Sequence, residues 1–230
     1  MNKLQKTGAA ASMLLGALFI GYIGLLAVVL PAQGLGPGTL NNPAIGIPFV
    51  AASALPLVID AIYIAIAGTF LLLTLALYER LHPASPVLMQ ISVVTGALAS
   101  GMFLLYAMIN LVGNPIAVGM YQHDGAAGGV IYITLRATAN AFNAGALFAA
   151  GWALLLAGWS AHSVRRLPQL LSYLMIGAGI AMIVSFVLLP IGLLGVMIAP
   201  VWSIWLGITL LRELRAAPAP SGRPVTAAEL

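Results

Sequence analysis

Asp60 is the side chain best placed to do chemistry, because it is the only acid set inside a long apolar stretch of this chain. A carboxylate in such surroundings is costly to ionise, so it marks a pathway, a partner or a site. Tyr63 follows it one helical turn later, and Arg136 is its only counter-charge within an apolar segment. Two readings stay open. Asp60 and Arg136 meet as an intramembrane pair that fixes helix registration. Alternatively, Arg136 bends to the headgroups while Asp60 is hydrogen-bonded or protonated alone.

A second signal lies downstream. Tyr132, Arg136, Asn140 and Asn143 are spaced four, four and three apart, which places them along one helix face. In lipid such a stripe must face other helices or water rather than acyl chains. Tyr106 and Asn110 sit near the same level of another apolar segment. With Asp60 and Tyr63, these residues suggest a polar pocket. The competing account is interhelical hydrogen bonding, with asparagine and tyrosine only holding a bundle together.

Enzymatic chemistry finds little support. There is no Gly-x-Ser-x-Gly elbow, no His-Glu-x-x-His and no pair of intramembrane aspartates to share a proton. Cysteine is absent, which removes disulfides, zinc clusters and thiol catalysis. His123 and Asp124 are neighbours in what reads as a loop after Pro115, too few ligands for a metal. His82 and His162 stand beside basic residues and read as solvated. Gly177-x-Gly179 lies inside an apolar segment with no preceding strand, so it is no nucleotide fingerprint. No metal or cofactor is expected and no residue is assigned as catalytic; an intramembrane enzyme, the last-ranked reading, would have to rest on an unusual constellation such as Asp60 with Tyr63.

The elements that must position these side chains follow from composition. Apolar residues make up 62% of the 230 residues and charged ones 6%, where a soluble domain carries roughly 25% charged. So little charge cannot cover a water-facing surface, and lipid is the consistent solvent. The expected fold is all-α, a polytopic membrane bundle of six helices over residues 1–212. The spans read as about 8–30, 49–78, 87–112, 129–159, 169–189 and 192–212, followed by a disordered tail over 213–230. Residues 31–48 read as an uncharged loop. Residues 169–212 are too long for one helix across about 30 Å, so Pro190, Gly192 and Gly195 are taken as the break. Pro200 should kink the last helix.

Charge placement orients the bundle. Lys3 and Lys6, Arg80, Arg165 and Arg166, and Arg212, Arg215 and Arg223 all fall on one side under six spans. The positive-inside rule makes that side the cytoplasm, with both termini there, in a cell inner (plasma) membrane. The first span is longer than a signal-peptide core and lacks a small-x-small cleavage site, so it reads as an anchor. At about 1.5 Å per residue, Asp60 lies about 27 Å above Tyr78, and Arg136 about 35 Å above Trp159. The pocket therefore opens outward. The dispersed basic residues make no nucleic-acid patch. Ser92, Gly96 and Ser100, and Gly151 with Gly158, suit close helix packing.

Residues 167–174, Leu-Pro-Gln-Leu-Leu-Ser-Tyr-Leu, are followed by Gly177 and Gly179 and later by Trp205-Leu206-Gly207. Residues 77–83, Leu-Tyr-Glu-Arg-Leu-His-Pro, are followed by Ser85-Pro86. This pattern resembles bacterial membrane proteins grouped as a domain of unknown function (DUF 4386). Gln169 departs from it, standing where a basic residue or tryptophan is expected nearby. The resemblance implies six helices and bacterial origin, and no activity or site residue.

The sequence thus points to a non-enzymatic membrane protein that binds a lipid or small molecule, or serves as a partner subunit. The alternative is a secondary transporter or proton-coupled carrier that uses Asp60 as its titrating group.

Overall fold

The computed structural model describes residues 3–36 and 38–216, and among them the regular structure is entirely helical. Helix α1 spans Lys3–Gly24 and runs on through a π-helical turn, Leu25–Val29, into Leu30–Ala32. Then come α2 (Pro43–Ala52), α3 (Leu55–Leu81), α4 (Pro86–His123), α5 (Gly125–Val164), α6 (Gln169–Val184) and α7 (Leu189–Ala216). Among the described residues, five stretches are long and apolar enough to cross a membrane: Leu4–Ala32, Leu55–Leu81, Pro86–His123, Gly125–Val164 and Leu194–Arg212. Val28, Val87, Val94 and Val130 are each 65–67% exposed, scattered over several helices. Apolar surface spread this widely is compatible with a multi-pass membrane protein.

The long helices pack in chain order, and the ring closes when α7 returns to α1. Neighbours run antiparallel. Between α1 and α3, Gly8 faces Ala76 and Tyr22 meets Tyr63. Gly96 of α4 faces Thr74, while Tyr106 meets Tyr63. Across α4 and α5, Gly113 faces Leu135 and Gly145 faces Met102. At the closure, Gly16 faces Ile204 and Gly207 faces Met13.

Small residues set these distances. A Cβ added to Gly151 of α5 would lie 2.7 Å from the Gly179 carbonyl oxygen of α6, and one on Gly179 would lie 2.7 Å from that of Gly151. The two backbones are in contact, and no side chain fits between them. Serines add bonds across helices: Ser12 Oγ donates to the Ser203 carbonyl (2.6 Å), and Ser92 Oγ to that of Ala153 (2.9 Å).

The two ends of the bundle differ. At one end, Arg80 Nη2 donates to the Arg166 carbonyl (2.7 Å) and Arg166 Nη1 to the Arg80 carbonyl (3.0 Å). This reciprocal clasp ties the α3–α4 and α5–α6 connections together. Helix α5 stops there with Arg165 in the left-handed region (φ 49°), a position that usually takes glycine. At the opposite end α4 and α5, of 38 and 40 residues, reach about 57 and 60 Å at the α-helical rise. The neighbouring α3, of 27 residues, reaches only about 40 Å. The α4–α5 hairpin therefore overshoots, and α2 lies against the overshoot as a cap. Ile47, Ala117 and Tyr132 form a separate buried cluster there.

Several expected boundaries move. The segment 49–78 is not one helix, because Ser53 is extended (φ −117°, ψ 141°) and Pro56 sits at the start of α3. Proline lacks the N–H and its ring would clash with the carbonyl four residues back, so the helix restarts instead. Residues 31–48 are not all loop: Asn42 caps α2 by accepting from Ala44 N (3.1 Å). Helix α4 runs through Pro115 to His123. The expected loop there shrinks to Asp124, an extended residue whose Oδ1 accepts from Ala126 N and Ala127 N and caps α5. The α6–α7 break falls at Ser185–Leu188, ahead of Pro190, which occupies the first turn of α7. Pro200 lies inside α7, which continues to Ala216, beyond the expected end at Arg212. The rest of the expected tail, 217–230, lies outside the described residues.

Paired substitutions check the α5–α6 contact. Gly179→Ala should lower stability by about 1–3 kcal/mol, because its methyl group meets backbone. A Cβ on Gly177 has nothing within 4 Å, so Gly177→Ala should be neutral or stabilise by up to about 1 kcal/mol. Thermal or denaturant melts of the purified variants measure both.

Candidate functional site

The candidate residues sit on α3, α4 and α5, in successive layers toward the capped end. Heights above the clasped end follow from the helical rise: Tyr63, Tyr106 and Asn143 stand about 27 to 32 Å up their helices. Tyr63 is the hub of this layer. Its ring centroid is 4.3 Å from that of Tyr106, 5.4 Å from Tyr22 and 5.9 Å from Phe103. Its hydroxyl donates to Tyr22 Oη (2.9 Å), and the Asn143 side chain interacts with it.

One turn higher, Asp60 follows from Tyr63 and Asn110 from Tyr106. Asp60 is 3% exposed and Asn110 3% exposed. Arg136 does not form an ion pair with Asp60 at 4 Å or less. Its Nη1 donates instead to Asn110 Oδ1, at a long 3.4 Å. Asp60 feels the Arg136 charge through space and also interacts with the Asn110 side chain. The guanidinium carbon lies 5.7 Å from the Tyr132 ring centroid, within cation–π range. Asn110 thus separates the two charges that the sequence brought to one level.

A partly open cavity of about 230 Å³ adjoins this layer. Asp60, Asn110 and Asn114 give it a polar side, and Val50, Leu57, Leu111 and Val118 give it apolar walls. Its position depends on the break before α3: Ser53 Oγ accepts from Leu55 N (3.1 Å), turning α2 aside and leaving space between α2, α3 and α4. Asn110 Nδ2 is buried without a hydrogen-bond partner, as is Arg136 Nε.

The predicted set therefore divides. Asp60 and Asn110 line the cavity, Tyr63 and Tyr106 close the layer beneath it, and Arg136 stands behind Asn110. Asn143 faces Tyr63. Tyr132 serves the cap instead: its hydroxyl donates to the Leu40 carbonyl (2.7 Å). Asn140 is exposed, away from the others. Angles explain this: at about 100° per residue, Asn143 and Arg136 lie roughly 20° and 40° round from Tyr132, but Asn140 lies roughly 80° round. Fully buried Ala139 and Ala146 mark the inward face on the other side of Tyr132. Four residues in a row of sequence steps thus make a stripe of three.

Two participants were missed. Asn114, 8% exposed, lies one turn beyond Asn110, and ending the third span at Val112 left it out. Tyr22 lies on α1, whose polar content gave no stripe to notice. Nothing in the site has the form of a catalytic set. No group of three His, Cys, Asp or Glu able to hold a metal occurs among the described residues. The arrangement offers a carboxylate, two amides and apolar walls, which suits binding.

The cap can be tested through Tyr132. Tyr132→Phe removes one buried hydrogen bond, with an expected loss of about 0.5–1.5 kcal/mol. Amide hydrogen exchange should quicken over residues 39–52 and stay unchanged in α6 and α7.

No family model, no curated protein and no solved structure matches this chain.

Proposed function

We propose that the chain is a six-span protein of a bacterial inner membrane, with both termini cytoplasmic, that binds a small molecule or lipid in its outward cavity without converting it. The observation that carries this reading is the cavity itself. Three side chains at least nine-tenths buried, Asp60, Asn110 and Asn114, share it with apolar walls. That combination is characteristic of ligand sites.

Parity supports six spans. Neighbours in the ring alternate in direction, and α7 lies antiparallel to α1. Helices α5 and α7 then run the same way, so α6 must return across between them. Its 16 residues cover about 24 Å, and the irregular Ser185–Leu188 extends the crossing toward the roughly 30 Å of hydrocarbon. Orientation is supported by charge: Lys6, Arg80, Arg165, Arg166 and Arg212 belong to the clasped end, and Arg136 alone to the capped half. The short Leu-Pro and Trp-Leu motifs are the support for kinship with the DUF 4386 proteins.

Binding is favoured over transport by what lies beneath the cavity. Tyr22, Phe103 and Tyr106 all pack against Tyr63, one turn below Asp60. That layer closes the route a carrier would need.

Topology is read by labelling, since the chain has no cysteine of its own. A membrane-impermeant thiol reagent applied to intact cells should modify Gln122→Cys but not Ser163→Cys; the reverse pattern inverts the orientation, and labelling of both removes it. For function, native mass spectrometry of protein extracted with its surrounding lipid should show a retained adduct that Leu111→Trp displaces. Proton-coupled flux into proteoliposomes that is lost in Asp60→Asn would instead establish the carrier.

A further inference from the structure

We infer that the occupant of the cavity is a small protonated amine, its ammonium group on Asp60 and its apolar body against Leu57, Leu111 and Val118. This deepens the binding reading and rests on it. The argument begins with an uncompensated charge. Asp60 is 3% exposed, and no residue lining the cavity is basic. Arg136 is drawn off to Asn110 Oδ1 and held there over the Tyr132 ring, so it does not close on the carboxylate. A buried carboxylate with no ion-pair partner within 4 Å is costly for a fold to hold.

Each class of occupant can be weighed against this wall. An anion would face Asp60 with no cation on the cavity lining to hold it. A neutral alcohol would offer a donor but leave the charge uncompensated. A bare metal ion favours several charged or oxygen ligands, and Asp60 is the one acid in a lining that is otherwise mostly apolar. An alkylammonium has both requirements in one molecule: three N–H donors for the acceptors on Asp60 and Asn114, and an apolar body for the walls. Asn110 Nδ2, buried with no hydrogen-bond partner, borders the same carboxylate. A volume of about 230 Å³ limits the body to a small ring or short chain.

Cyclohexylammonium, cyclohexanol and cyclohexanecarboxylate have the same ring with positive, neutral and negative heads, and serve as probes. Calorimetric titration of purified protein in lipid nanodiscs should rank the ammonium tightest, at least tenfold over the alcohol, with the carboxylate undetectable. Asp60→Asn, nearly isosteric, should weaken the ammonium at least tenfold and leave the alcohol unchanged; Leu111→Trp should abolish both. If the alcohol or the carboxylate equals or exceeds the ammonium on the unaltered protein, the amine assignment is overturned while the pocket survives. The same holds if Asp60→Asn, with an unchanged melting temperature, binds the ammonium as well as before. If none of the three probes binds, or if Leu111→Trp changes nothing, the pocket reading falls with it.

Discussion

The constraint on which this structure depends is how closely two helix backbones can approach. With charged residues at 6% of the chain, ion pairs are too few to hold seven helices together. In the bilayer proposed for it, moreover, burying an apolar side chain against another helix gains little over leaving it among acyl chains, so association falls to van der Waals contact and weak polar bonds. Gly151 against Gly179, Gly158 against the Ser172 carbonyl, and Gly207 against Ala9 are the contacts that make it work. Each brings backbone dipoles and main-chain atoms into reach, where a methyl group would force the helices apart. Serine completes the pattern: Ser12 and Ser92 are small enough to sit in such a contact while donating across it.

Close packing along most of the bundle has a consequence for its capped end. Glycine and alanine leave no room for large polar side chains in the lower half, where the described core is Leu, Ala, Met, Phe70 and Trp202. Polar groups that must be inside are therefore gathered where the helices separate. The separation itself has a local cause. Pro56 obliges α3 to restart, Ser53 turns α2 aside, and α2 finds its partner in the overshooting α4–α5 hairpin rather than in α3. The cavity is the space this detour leaves. Asp60 faces it because it lies barely one turn inside the restarted helix.

How much of this the sequence disclosed depends on the range of each signal. Hydropathy and periodicity are local, so the all-α class, the long apolar stretches and the close-packing glycines at Gly151 and Gly158 were legible. Asp60, Tyr63, Tyr106 and Asn110 were legible as a group because each lies at a similar height on a neighbouring helix. Proline was misread in both directions. Pro115 lies within a continuous α4, since a free carbonyl inside a helix is tolerated when neighbours support it, whereas Pro56 was overlooked and does begin a new helix. Asp124, expected only as a loop residue, caps α5, a role that needs just the N–H groups of Ala126 and Ala127. Tyr132 and Asn140 were misassigned because identical spacing does not mean identical azimuth. Which helix α2 would pack on could not be read, since that depends on how far α4 and α5 overshoot α3.

Asn110 links these levels. Without it, Arg136 would be free to swing toward Asp60, and two opposite charges in a low-dielectric setting attract strongly. A closed pair would fill the polar side of the cavity and leave nothing for a ligand to compensate. By accepting from Arg136 on one atom and facing Asp60 with the other, Asn110 keeps the charges apart without isolating either. Its amide nitrogen, still unpartnered, records the cost. A bundle built only for stability would let the charges meet or replace both with apolar residues, since a buried pair is rarely worth its desolvation. Holding them one side chain apart leaves the carboxylate on the cavity wall, where the proposed amine would meet it.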